Sequence, residues 1–326
     1  MRRVSGEASQ EWEVLARAQS MVIAGHQLVR LEGTPNRARR AVDARRWQVL
    51  VPGVYATFTG PVPELARVWS HVLHAGPGAA VGGEAALWLA GVRATVPDVV
   101  DVCVPHGRQV RSAPGSRISA RRELDRLVHP VRRPPQLRAE EAVLDVAAKA
   151  ATPAPVVDVV LAAVQRRVTT PERLAAALAA RSRHRWRSLL TELFAEAGGG
   201  THSVLERRYH LGVERAHALP RADRNAPRPT GADGATEYPD AWYRSFRVRV
   251  ELDGARAHPG EHAFRDRARD NRGAVAGELT LRYGWREVAA DPCGTAAQVA
   301  AVLATRGWTD GPRPCRPGCP VRPVHP

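Results

Sequence analysis

From Phe246 onward the chain alternates strictly: Phe246, Val248, Val250 and Leu252 share one parity, and Arg247, Arg249, Glu251 and Asp253 the other. Because successive side chains point to opposite faces of a strand, this pattern predicts a strand with one core face and one charged face. Asp253-Gly254 is turn chemistry and closes it. Upstream, a short strand ends in Pro239-Asp240. If Tyr243 to Ser245 form the turn, Asp240 falls opposite a residue near Arg249, and Glu251 becomes its diagonal neighbour at roughly 7 Å. A basic helix, Arg265 to Arg272, follows.

The front of the chain carries a different period. Glu11 to Ala18 and Ala24 to Leu31 read as helices, and Gly33-Thr-Pro-Asn36 opens a third that runs to about Arg46. Thr34 suits the N-cap and Pro35 the first helical position. Ala38, Ala41 and Val42 take core spacing, leaving Arg37, Arg39, Arg40 and Arg45 on the outside. Trp47 to Tyr55 then reads as a strand, a Pro52-Gly53 turn and a returning strand. Helices followed by a hairpin make a winged helix-turn-helix, a fold that lays one helix in the major groove while basic side chains neutralise phosphates. The four arginines are the expected DNA contacts.

Between these ends lies a stretch rich in alanine, valine and leucine. Helices are expected at Pro63 to Ala75, Gly82 to Ala90, Arg138 to Ala150, Pro155 to Val168, Thr170 to Ala180 and Arg185 to Ala197, with strands at Val99 to Val104 and Arg117 to Ala120. Gly198-Gly-Gly200 reads as a hinge. The expected architecture is α/β of the multi-domain α+β kind: a winged helix over 1–60, a middle α/β domain over 61–197, an α/β domain over 201–308, and a disordered Pro/Arg-rich tail over 309–326.

Composition narrows the partners. With 326 residues and 44% hydrophobic content, the chain can bury more than one core. Its 48 Lys and Arg against 33 Asp and Glu leave a net charge of +15, which favours polyanions, although the preference for arginine also fits a GC-rich coding sequence. Neither a secretion signal nor a membrane-spanning stretch is evident, so a cytoplasmic location without membrane association is expected. Cys103 and Cys293 read as reduced structural thiols. In the tail, Cys315, Cys319 and His325 are soft metal ligands that lack a fourth partner, and proline dominates there, so disorder is the expectation. Glycine-rich phosphate loops and nucleophile elbows are absent.

Asp240 and Glu251, with Asp253, are the candidate chemistry. Hard divalent cations such as Mg2+ or Mn2+ take oxygen ligands, often one or two carboxylates plus water and substrate phosphate, and activate water for attack on a phosphodiester. The same alternation also describes a half-solvated strand in which Glu251 pairs with an arginine. Ser203-x-x-Glu206 is either a capping box or a helix carrying a further ligand. His258, just after the turn, is either a surface residue or an acid-base group.

These motifs have a family likeness. Ser203-Val-Leu-Glu206, Tyr238-Pro-Asp-Ala-Trp-Tyr243, Val250-Glu-Leu-Asp-Gly254, His258-Pro259, Arg265-Asp-Arg-Ala-Arg-Asp-Asn271 and Leu279 to Trp285 resemble, in order and spacing, the domain of unknown function 559. That family is related to the very-short-patch-repair endonucleases of the PD-(D/E)XK superfamily. The resemblance implies a restriction-endonuclease-like fold, Asp240 and Glu251 as the acidic pair, Glu206 as the helix acid and His258 at a catalytic position. It also places Asp266, Arg269 and Asp270 on the next helix. Arg269 and Arg272 of that basic helix are the residues expected to grip the nucleic acid backbone. One departure stands out: Asp253 replaces the lysine of the E-x-K signature, and the chain's single lysine is Lys149. The N-terminal segment, through Arg45-Arg-Trp47 and Pro52-Gly-Val-Tyr55, resembles the antitoxin-like domain of AbiEi-family proteins. Two functions follow: a metal-dependent DNA endonuclease, or an antitoxin-type transcriptional regulator with a silent nuclease domain and a cognate toxin as partner.

Overall fold

The computed structural model describes residues 7–322 apart from 33, 35, 199–202, 225, 231–234, 255–270 and 272. It is mixed α/β, as expected, and divides into two compact units, Met1–Val146 and Ala147–Pro326.

The first unit begins with α1 (Glu7–Ala18), β1 (Val22–Ala24), α2 (Gly25–Glu32), α3 (Asn36–Asp43), β2 (Gln48–Val51) and β3 (Val54–Ala56). The strands form an antiparallel sheet in the order β1-β3-β2, so the hairpin and the strand before α2 make the wing. Its core is Trp12, Ala16, Ile23, Leu28, Ala38, Ala41 and Trp47, with the two indoles 5.2 Å apart. Thr34 caps α3 through its hydroxyl, which accepts from the Asn36 amide at 3.2 Å.

The helix stops three residues earlier than the sequence suggests. The Arg46 amide reaches back to the Ala41 carbonyl and the Arg45 amide to that of Val42, each at 2.9 Å, with Arg45 in the left-handed region at φ 54°. That is a Schellman close, normally a glycine's position. Arg45 is therefore in the turn after the helix and not on its outer face.

The remainder of this unit comprises α4 (Glu64–Ala75), β4 (Ala80–Val81), α5 (Gly83–Leu89), β5 (Val100–Pro105), β6 (Ser116–Arg121), α6 (Leu124–Leu127) and the start of α7 (Ala139–Lys149). The sheet order is β4-β5-β6, with β5 and β6 parallel. The other side of the winged-helix sheet, Val22, Ala24, Val51 and Val54, packs on Ala66, Trp69 and Leu73 of α4, so the wing and the α/β layer share a core.

The second unit holds α8 (Pro153–Gln165), α9 (Pro171–Ala179), α10 (Arg187–Ala197) and α11 (Ser203–Arg208), which runs on as a π-helical turn, Tyr209–Arg215. Thr170 caps α9, accepting from the Arg173 amide, with Pro171 in the first turn. Then come the hairpin β7 (Arg228–Thr230) and β8 (Ala235–Glu237), a sheet of β9 (Ala241–Tyr243), β10 (Val248–Asp253) and β11 (Leu279–Gly284), a second π-helical turn (Arg286–Ala290) and α12 (Pro292–Thr305). Polar contacts join α10 to the segments that flank this sheet. Trp285 donates its indole N–H to Glu196 of α10 at 2.8 Å, and Arg208 pairs with Glu192 at 2.6 Å. The two compact units meet in sequence at 146/147.

The tail expected to be disordered has buried points among its described residues. Val321 is 1% and Cys319 3% exposed, and the Arg313 amide bonds the His217 carbonyl at 2.8 Å.

Candidate functional site

The second unit's sheet builds the acidic site from a register. β9 and β10 are antiparallel with Tyr243 opposite Val248, Trp242 opposite Arg249 and Ala241 opposite Val250. One further step sets Asp240 directly opposite Glu251. The sequence-based register was off by two residues because the turn lies later: Arg244–Phe246 form a 3-10 turn and Arg247 takes the left-handed conformation at φ 55°.

Asp240 is fixed there by its backbone surroundings. One carboxylate oxygen accepts the Leu252 amide at 2.6 Å, so the side chain supplies a ladder bond where the strand itself ends. Glu251, the residue before Leu252, is 7% exposed. Opposed residues share a face, so Asp240, Trp242, Arg249, Glu251 and Asp253 lie on one side of the sheet and Tyr243, Val248, Val250 and Leu252 on the other.

The charged face is not half-solvated. β10 is central, pairing antiparallel with β9 and parallel with β11, and every residue but Asp253 is buried. Arg249, 1% exposed, donates to Glu237 at 2.9 Å and to the Thr280 hydroxyl at 2.7 Å. Such burial demands pairing, since an unpaired guanidinium there would cost several kcal/mol. Gly273 makes room for it: a Cβ at that position would stand 2.9 Å from an Arg249 nitrogen.

On the β11 side the parallel register sets Arg282 opposite Glu251. Arg282 also pairs with the exposed Asp253 at 3.2 Å. A cation therefore stands beside the acids, carried by the neighbouring strand. Asp253 shares the acids' face but is committed to this ion pair.

Glu206 lies half-buried in α11, whose continuation anchors on the opposite, apolar face. There the hydroxyls of Tyr209 and Tyr243 meet at 3.0 Å, and burial pushes the Tyr209 phenol far above its ordinary value. His258, Asp266, Arg269, Asp270 and Arg272 lie outside the described residues.

No family model matches the chain, and no curated protein matches it. Among solved structures the chain is similar to the crystal structure of RV2827C protein from Mycobacterium tuberculosis, at 18% identity and a TM-score of 0.40, over 63% of this chain and 81% of that chain.

In the first unit, Arg39 and Arg40 are exposed on α3, on the outside of the helix as its spacing predicts. Arg37 turns back over the Trp12 ring, 5.0 Å from its centre, and so braces the helix against α1.

A second cluster escaped the sequence reading. His217, Cys293, Cys315 and Cys319 bring their ligand atoms within 4.8 Å of one another. The tail's two cysteines did have partners, but these lie some hundred and some twenty residues upstream, at the end of the first π-helical turn and the start of α12. Burial and the neighbouring Cys315 and Cys319 thiols push Cys293 up to about 12. Burial also pushes Cys319 up, but backbone bonds at Cys315 and Val321, with Cys293 and His217 alongside, outweigh it and bring that thiol down to about 6. His325 lies outside the described residues.

Among the described residues no helix is long and apolar enough to cross a membrane.

Proposed function

We propose that the chain is a DNA-binding protein whose second unit is a restriction-endonuclease-like domain hydrolysing phosphodiesters with Mg2+ or Mn2+. The observation that carries this reading is the pairing of Asp240 with Glu251 across adjacent strands, one carboxylate held by a backbone amide and both on one face. Two carboxylates so placed are the hard oxygen donors these cations take. A bound ion would supply water activation and charge neutralisation at the phosphate. Asp240 and Glu251 would hold it, and Arg282, opposite Glu251, would provide the cation that the E-x-K lysine provides in the family pattern. Arg282 cannot be deprotonated near neutrality, so its part is electrostatic and not that of a base. The winged helix, with Arg39 and Arg40 outward, would direct the unit to DNA.

A second reading rests on Asp253. Its ion pair with Arg282 engages the cation that stands opposite Glu251, which suits a silent nuclease fold in an antitoxin-type regulator.

Cleavage of plasmid and single-stranded DNA in Mg2+ or Mn2+ separates the two. A nuclease loses cleavage in Asp240→Ala and Glu251→Ala while keeping DNA affinity; a regulator cleaves nothing and prefers one operator sequence.

A further inference from the structure

We infer that His217, Cys293, Cys315 and Cys319 form a structural zinc site that ties the C-terminal segment to the second unit. Three thiols and one imidazole are a complete tetrahedral donor set for Zn2+.

Geometry supports zinc over a disulfide. The Cys293 and Cys315 sulfurs stand 3.6 Å apart and all four cysteines of the chain are free thiols. A disulfide needs about 2.05 Å between sulfurs. A tetrahedron with Zn–S bonds of about 2.3 Å has S···S edges of about 3.8 Å, close to the observed separation.

The imidazole is set for the metal. His217 is wholly buried, and its Nδ1 lies 3.0 Å from the Val213 carbonyl. That bond requires the proton on Nδ1 and leaves a lone pair on Nε2, which has no hydrogen-bond partner among the described residues. A buried bare imidazole nitrogen facing three thiols is a ligand whose tautomer is already fixed by the bond a zinc-bound histidine commonly makes.

The tail supplies a knuckle. Cys315-Arg-Pro-Gly-Cys319 reverses direction through Gly318 at φ 76°, and the Cys319 amide closes the turn on the Arg316 carbonyl at 3.2 Å. Only glycine takes that conformation without strain, and it turns both sulfurs toward Cys293. The other pair of ligands ends one helical segment and opens another, so the ion would join three separate parts of the chain. On binding, three thiols lose their protons to solvent; three thiolates with Zn2+ and neutral imidazole leave one net negative charge. Arg313, just before the knuckle, and Arg316, within it, carry the opposite sign.

The test is metal content of the full chain purified without added metal, measured by plasma mass spectrometry, followed by cobalt(II) exchange. One zinc per chain is expected, along with the d–d and thiolate charge-transfer bands of tetrahedral cobalt. Cys315→Ser, at the exposed ligand, should lose zinc; Cys103→Ser, in the other unit, should keep it. His217→Cys keeps a four-ligand set and should still bind cobalt with an altered spectrum, which guards against a Cys315→Ser chain that merely misfolds. Chain without zinc, a Cys293–Cys315 disulfide in intact mass, or zinc retained by both Cys315→Ser and Cys319→Ser would overturn the assignment.

Discussion

The second unit places two polar clusters on one scaffold, and they differ in nearly every physical respect. The acidic pair, Asp240 and Glu251, is local: eleven residues apart in sequence, on adjacent strands, with oxygen donors. The thiol-imidazole cluster spans His217 to Cys319, draws on two helical segments and an irregular tail, and offers soft donors. Hard, partly hydrated ions suit the first and a fully enclosed ion the second. Chemistry at phosphate needs a ligand sphere with room for water and substrate, whereas a cross-link needs none. On the proposed function, catalysis would fall to the first cluster and cohesion to the second.

That division can be broken most forcefully at the thiols. Cys319→Ser should remove the ion and lower the second unit's stability by more than about 3 kcal/mol, because metal-binding energy in such sites is folding energy. A chelator-dependent fall in the thermal midpoint, mirrored by the variant, is the readout. If chelator leaves melting unchanged, cohesion does not depend on the ion.

Next in size is the effect on chemistry. Glu251→Gln and Asp240→Asn keep shape but remove charge and should reduce cleavage by about 100-fold or more, since a direct ligand matters at least as much as the outer groups that orient it. Zinc content and melting should remain close to wild type. Arg282→Gln should reduce cleavage as well, whereas Asp253→Asn, by releasing Arg282, should not; equal losses in both would make the ion pair structural.

Smaller changes sharpen the contrast with the first unit. Arg39→Ala and Arg40→Ala should each weaken DNA binding for all sequences and reduce the salt slope by about 1. Arg37→Ala should instead loosen the Trp12 packing, visible as a lower melting point of the first unit. The mildest case is Tyr243→Phe, which deletes the hydroxyl bond to Tyr209 and should cost about 1 kcal/mol without touching either cluster's metal.

Legibility in sequence followed locality. Helix α9 was readable because Thr170-Pro171 carries its own cap, and the wing because Pro52-Gly53 sets a turn between two apolar runs. The strand β10 was readable from alternation, but its surroundings were not. Alternation says which residues share a face and nothing about what covers that face, so Arg249 was expected outside and is buried against Glu237 and Thr280. The acid pair was legible as residue types; its register was not, because a left-handed Arg247 lengthens the turn and ordinary propensity gives no sign of it. The soft cluster was hidden for a simpler reason. Cys315 and Cys319 signalled half a site, and the other half sits in the turn after one helical segment and in the first turn of α12, where a histidine and a cysteine look like core residues.

The most direct test of the assignment is Mn2+ binding to zinc-loaded protein, followed by electron paramagnetic resonance in wild type, Asp240→Asn and Glu251→Gln. The account predicts a Mn2+ signal from the acid pair in wild type that both variants lose while their zinc content stays unchanged. Mn2+ binding that survives both substitutions would contradict it.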